Sequence, residues 1–200
     1  MTGDRVAGVV LAAGLSSRMG TNKMLLELGG RTLVQRAVAT ALAAGLDPVL
    51  VVVGHERERV QEELMGLRCT PVFNKEYARG IHSSLKAGIS AVAAENDAAA
   101  VLLGDMPLVR AEMVRALVDA FRRGSAPLAI SLYGEVVAPP IVYARSLFPE
   151  LCAIDGDGCG KRVVKQHRSE ALELRWPEET LTDLDSPQDV ARVRARLEAA

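Results

Sequence analysis

Arg18 and Lys23 stand in one run of mostly small and polar residues, Leu11-Ala12-Ala13-Gly14-Leu15-Ser16-Ser17-Arg18-Met19-Gly20-Thr21-Asn22-Lys23. Small side chains at 12 to 14 let a backbone pass close to a ligand, and Gly14 and Gly20 permit turns closed to other residues. Two fixed positive charges beside exposed N–H groups suit a polyphosphate. The run is not Gly-x-x-x-x-Gly-Lys-Ser/Thr, which separates it from the usual ATPase loop, and not Gly-x-Gly-x-x-Gly, which argues against a nicotinamide-type dinucleotide. The plain alternative is a polar turn after a strand. Farther on, Asp105 closes an apolar run in Gly104-Asp105-Met106-Pro107. A carboxylate so placed either caps the next helix or holds Mg²⁺, and a phosphate loop elsewhere strengthens the metal reading, because magnesium and phosphates are bound together. Gly80-Ile81-His82-Ser83-Ser84-Leu85 opens a helix whose free hydroxyls can cap it or meet a ligand. In Asp155-Gly156-Asp157-Gly158 the residues alone read as a solvated turn. His55, His82 and His167 have no neighbouring residues that suggest a triad, and they share no metal-ligand spacing.

Leu-Ala-Ala-Gly-x-Ser-x-Arg-Met-Gly with Lys23 beyond it resembles the signature of nucleotidyltransferases with a Rossmann-like fold, and most of all the molybdenum cofactor nucleotidyltransferase family in its cytidylyltransferase branch. Leu103-Gly104-Asp105-Met106-Pro107, Ala138-Pro139-Pro140, Leu147-Phe148-Pro149-Glu150-Leu151 and Asp183-Leu184-Asp185-Ser186-Pro187 are similar to further pieces of that family. The likeness runs from about Val6 to Val193. It implies transfer of CMP from CTP to the terminal phosphate of molybdopterin, with release of pyrophosphate and a requirement for Mg²⁺. It implies that Leu11, Ala12, Ala13, Gly14, Ser16, Arg18, Lys23, Gly80, Ser84 and Asp105 surround the nucleotide, with Arg18, Lys23 and Asp105 in the catalytic roles. Asp105 would be the first metal ligand. Asp157 would be the second, with Asp155 as the other carboxylate of the same loop. Cys159 and Lys161 depart from the glycine and arginine usual there, and Lys161 would bring a point charge in place of a planar fork. Partners implied are CTP, molybdopterin and a recipient molybdenum hydroxylase or its chaperone.

No protein nucleophile is needed for such a reaction, since an acceptor phosphate can itself attack the α-phosphorus; positioning and charge neutralisation do the rest. Ser84 is expected to accept from the cytosine amino group, favouring CTP over GTP and, more weakly, over UTP. The competing readings are a GTP-using or sugar-phosphate nucleotidyltransferase of the same fold, and a non-catalytic carrier or chaperone of the cofactor. Retention of Arg18, Lys23 and Asp105 favours catalysis.

The elements that must hold these groups read as a single α/β domain of 200 residues. Expected are a Rossmann-like three-layer α/β/α architecture and a mainly parallel sheet of about six or seven strands. Residues 1–133 form the nucleotide-binding part, 134–185 a mixed acceptor-side part and 186–200 a C-terminal helix. Apolar runs at Val6–Val10, Val49–Val53, Ala98–Leu103 and Leu128–Leu132 are buried strands, with a further strand at Thr70–Phe73. Helical spacing recurs at 33–42, 85–92, 113–121 and 190–197. Ala138-Pro139-Pro140 is expected to stay out of any central strand, with 141–143 at an edge. A net charge of −1 argues against bulk binding to nucleic acid or anionic membrane, yet residues 1–36 carry five Lys/Arg against two acids. Three scattered cysteines without Cys-x-x-Cys speak against a disulfide framework and fit a reducing cytoplasm. The apolar start is too short to span a bilayer.

Overall fold

The computed structural model describes residues 5–16, 20–153, 156, 159–182, 184 and 187–198. β1 (Val6–Ala12) leads through the phosphate-type loop to a 3-10 turn at Lys23–Leu25. There follow the hairpin β2 (Glu27–Leu28) and β3 (Arg31–Thr32), then α1 (Leu33–Ala43), β4 (Val49–Val53), α2 (Arg57–Glu63), β5 (Thr70–Phe73) and α3 (Ile81–Ser90). β6 (Ala98–Leu103), α4 (Ala111–Arg123), β7 (Leu128–Tyr133) and β8 (Val136–Ala144) come next. α5 (Phe148–Ala153), α6 (Cys159–Gln166), β9 (Leu172–Trp176) and α7 (Pro187–Glu198) complete the order.

Seven strands form one sheet in the order β5-β4-β1-β6-β8-β7-β9. All neighbours are parallel except the β6·β8 and β7·β8 pairs. Strand alternation splits the core in two. Val6, Val10 and Ala12 of β1 face Val34 and Val38 of α1 and the α4 residues Met113, Val114 and Leu117. Ala7, Val9 and Leu11 face Leu85 and Ile89 of α3, with Leu151 and Val163 from α5 and α6. Helices therefore cover both faces, and the parallel block is buried throughout, which is why its strands read as unbroken apolar runs. A smaller cluster seats Val190 and Val193 of α7 on Leu28 and Leu33; the side chain of Leu197, expected to join them, lies outside the described residues.

β8 differs from expectation. It carries Ala138-Pro139-Pro140 and lies inside the sheet, between β6 and β7. The prolines are accommodated because they stand where the ladders break. β8 pairs with β7 as Ile130↔Ile141 and then Ser131↔Ala138, so Pro139 and Pro140 fall in the register shift. The β6·β8 ladder stops at Val101↔Ile141. Ser131 Oγ donates to the Pro140 carbonyl at 2.7 Å and the Tyr133 hydroxyl to the Pro139 carbonyl at 2.9 Å, replacing ladder bonds. Beyond Ile141 the β6 and β8 strands part, and a fork opens in the sheet.

Candidate active site

The parallel strands run β5-β4-β1-β6, so the chain builds β4 and β5 on one side of β1 and then crosses to place β6 on the other. Ligands in open α/β sheets bind beyond the strand carboxyl ends at such a switch point. Lys23 follows β1 and Asp105 follows β6, and the two meet: Lys23 Nζ donates to Asp105 Oδ2, with both side chains largely buried (14% and 18% exposed).

The short turn that presents Lys23 is fixed by local bonds. Asn22 is buried; its Oδ1 accepts from the Met24 N–H at 3.1 Å and its Nδ2 donates to the His55 carbonyl, also at 3.1 Å. The Lys23 N–H donates to Ser16 Oγ at 3.0 Å. Ser16 itself adopts φ 52°, a left-handed conformation uncommon outside glycine. Gly104, just before Asp105, has no room for a side chain: a Cβ there would stand 2.6 Å from Met24 Sδ and 3.2 Å from the Leu11 carbonyl. The β6 end is thereby packed directly on the turn that carries Lys23.

A cleft of about 700 Å³ opens over this pair. Leu11, Ala12, Ala13, Gly14, Lys23, Gly80, Ser84 and Asp105 all line it, so eight of the residues singled out in the sequence converge there. Ser16 is not among the residues lining the cleft; its Oγ accepts from the Lys23 N–H and steadies the loop. Arg18, Asp155 and Asp157 lie outside the described residues. Leu15, Met24, Tyr77, Ala78, Ile81 and Leu103 complete the walls. Gly80 has φ 106° and ψ 179°, a backbone open only to glycine, and this sharp entry into α3 brings Ser84 to the cleft.

Asn74 was not legible in the sequence as a site residue. It is buried at the end of β5, and its Nδ2 donates to Ser83 Oγ at 2.8 Å and to Ser84 Oγ at 3.1 Å. Its Oδ1 accepts from the Glu76 N–H at 2.9 Å. Ser83 is turned inward, against the Glu76 and Gly80 carbonyls, each at 2.8 Å. Ser84 keeps its O–H and one lone pair for a ligand. The only sequence signal for Asn74 was an amide directly after an apolar strand, a position that turns also favour.

Asp105 is the described carboxylate of the cleft, and no group of three or more His, Cys, Asp or Glu residues capable of holding a metal occurs among the described residues. Magnesium is commonly held by one or two carboxylates with substrate phosphates and water, and the donor set fits that mode.

The cleft runs into a second pocket of about 1680 Å³ that shares Leu11, Ile81 and Leu103 with it. This pocket occupies the fork between β6 and β8. Its walls are apolar, from Val101, Val137, Pro139 and Ile141 among others, while Lys161, Lys165 and Arg168 reach it from α6 and the turn after it.

A mixed sheet with a cation and a carboxylate joined at the β1/β6 switch point, beside an anion-type loop, defines a nucleotidyltransferase class of protein. Residues 8–171 match the MobA-like NTP transferase domain, and the chain belongs to that family. It is 32% identical to purine catabolism protein PucB of Bacillus subtilis, across 97% of this chain and 98% of PucB. It is 37% identical to bifunctional protein GlmU of Anaeromyxobacter sp., over 70% of this chain but only 29% of that longer protein. Among solved structures, Rv0371c of Mycobacterium tuberculosis superposes with a TM-score of 0.85 at 26% identity, covering 97% of this chain and all of that one. A crystal structure of Rv0371c in complex with manganese superposes at 0.78.

Proposed function

We propose that this protein transfers CMP from CTP to the terminal phosphate of molybdopterin, releasing pyrophosphate. The observation that carries the reading is the fork pocket. It adjoins the Lys23–Asp105 cleft, its walls are apolar, and its charged lining groups are cations. A ring system bearing an anion suits such a pocket, whereas a sugar phosphate would leave its hydroxyls facing Leu, Val and Pro side chains at a desolvation cost. The anion drawn in by Lys161 and Lys165 arrives next to the nucleotide.

Mg²⁺ would be held by Asp105, with Asp157 as the second protein ligand, and when bound it neutralises phosphate charge. The residues of the chain do the rest. Lys23 leaves Asp105 for the α-phosphate and stabilises the charge that develops as the acceptor oxygen attacks. Arg18 holds the departing pyrophosphate. The Ala12–Gly14 backbone and Ser84 orient the base, the Asn74 bond fixing the Ser84 rotamer. The division of labour follows the chain, with the nucleotide on 1–133, the acceptor on 134–185 and the helix of 186–200 as support. No described helix is long and apolar enough to cross a membrane; we place the reaction in the cytoplasm, with a molybdenum hydroxylase or its chaperone as recipient.

One observation favours a second reading of the base. Ser84 Oγ already accepts from Asn74, and a hydroxyl left with one donor and one acceptor pairs with uracil as readily as with cytosine. Pyrophosphate release with each NTP, with molybdopterin or a hexose 1-phosphate as acceptor, tests both. Release with CTP and molybdopterin alone is expected; release with a sugar phosphate, or with GTP, overturns the assignment.

A further inference from the structure

On the α1/α4 side of the molecule, away from the cleft, lies a second groove of about 1490 Å³. Arg31, Arg36, Arg110 and Arg196 line it, against two carboxylates, Glu112 and Glu179. Glu179 and Arg196 are paired with each other, Arg196 standing 3.2 Å from Glu179 Oε1 and donating to the Glu179 carbonyl, which leaves Arg31, Arg36 and Arg110 facing Glu112.

Arg31, Arg36 and Arg110 sit near helix starts, where electrostatics disfavour a cation, whereas Arg196 lies in the last turn of α7. Arg110 is the N-cap of the thirteen-residue α4 and makes no side-chain cap bond. Ser, Thr, Asp and Asn are the usual occupants, because the helix N-terminus is itself positive. Arg31 and Arg36 flank the N-terminus of α1, whose first turn has no acid. Arg36 gives one nitrogen to the Leu28 carbonyl at 3.0 Å, but its Nε is buried without a partner. A buried unpaired donor is costly. Burial first, and then the Arg31 charge, push the Arg36 pKa down, a direction a bound anion would reverse. Two helix starts and three guanidinium groups, besides the Arg196–Glu179 pair, converge on one groove.

We infer that this groove is a second anion site, taking a small molecule with two or more linked phosphates, and that its occupant acts on the cleft through the Gly104–Pro107 loop. Pro107 and Val109 line the groove, while Asp105 faces the cleft. The Val109 N–H donates to the Met106 carbonyl at 3.2 Å, so the segment between the two sites is one tied turn. Arg36 and Gly104 also share a small pocket between them. An anion that draws Arg36 and Arg110 together therefore bears on the carboxylate partner of Lys23.

The linked phosphates could be free pyrophosphate or the diphosphate of a nucleotide, and two titrations separate these sources. The full chain, without divalent metal and at 0.15 M salt, is titrated calorimetrically with inorganic pyrophosphate and separately with ADP. The tighter ligand identifies the source. Arg31→Ala/Arg110→Ala removes two exposed charges from the groove and is expected to weaken the tighter ligand at least tenfold. Lys23→Ala should leave that binding intact, and Arg59→Ala/Arg192→Ala, which removes the same charge elsewhere, should not alter it. In wild type the ligand should also slow hydrogen exchange at 104–110, and not in the Arg31/Arg110 variant. Absence of binding by both probes, loss in Lys23→Ala without loss in Arg31→Ala/Arg110→Ala, or equal loss in the Arg59/Arg192 control each overturns the inference.

Discussion

Lys23 and Asp105 are 82 residues apart in sequence and in contact in the fold. Both were legible beforehand, because Asp105 closely follows one apolar strand, Lys23 stands in the loop after another, and strand ends are where a parallel sheet collects its ligands. Asn22 and Asn74 were not. Their importance comes from bonds to His55, Ser83 and Ser84 that exist only once three strands are aligned. Replacing Asp105 by Asn keeps size and hydrogen bonding but removes the charge, and turnover should fall by roughly 10²–10³, as for other preorganised electrostatic groups; a steady-state pyrophosphate assay with a circular dichroism control checks it. Lys23→Ala should lower kcat more than it raises KM, because the contact proposed for it with the α-phosphate would strengthen only as charge develops. A pure KM effect would assign Lys23 to ground-state binding. Ser84→Ala removes one hydrogen bond to the base worth about 0.5–1.5 kcal/mol, so turnover with CTP should fall by about tenfold or less relative to turnover with GTP.

Helices and parallel strands followed their apolar periodicity almost residue for residue, since burial on one or both faces dictates composition directly. β8 escaped that logic. Its prolines argue against an interior strand only if the ladder must continue past them, and here Ser131 and Tyr133 supply the missing partners. Close approach of elements was equally hidden. Gly88 of α3 rests on β1 and β4, and an added Cβ would lie 2.4 Å from Val9 Cγ1 and 2.9 Å from Val52 Cγ2. Gly88→Ala should lower unfolding free energy by about 1–3 kcal/mol through overpacking, read from urea denaturation, despite the better helix propensity of alanine. A pH-dependent clasp joins α5 to the end of α6. His167 Nε2 lies 2.8 Å from Glu150 Oε2 and Nδ1 lies 3.3 Å from Glu170 Oε1. The bond to Glu150 raises the His167 pKa, against a smaller opposing effect of burial. A raised folded pKa means stabilisation present in full below the unfolded value of about 6.5 and lost as pH climbs through the folded value. Melting temperature should therefore decline from pH 6 to pH 8 more in wild type than in His167→Gln.

For the molecule as a whole, the sheet order places the Lys23–Asp105 cleft on the parallel half and the apolar pocket where the antiparallel strand begins, so the two ligands proposed above would approach from adjoining compartments. Because the proposed nucleotide binds only the native state, CTP with Mg²⁺ at about a hundred times its Kd should add about 2.7 kcal/mol. For a chain of this size that corresponds to a melting shift of about 5–10 °C. A thermal-shift panel of the four NTPs measures it, and an equal response to GTP would contradict the base assignment. The arginine groove was invisible in the sequence, since the Arg31/Arg36 stretch, Arg110 and Arg196 come from three separate segments and only tertiary folding gathers them.

The parting of β6 and β8 has a consequence for how such a fold can diversify. Walls built from Val136 to Pro139 owe nothing to the β6 ladder, which has ended by then. Exchanging those side chains leaves the parallel strands, the Lys23 turn and Asp105 untouched. With the acceptor in the fork pocket, as proposed, acceptor preference can drift while the chemistry on the nucleotide is inherited unchanged, which makes the tip of the β7–β8 hairpin the natural place to graft a new acceptor onto an old transferase.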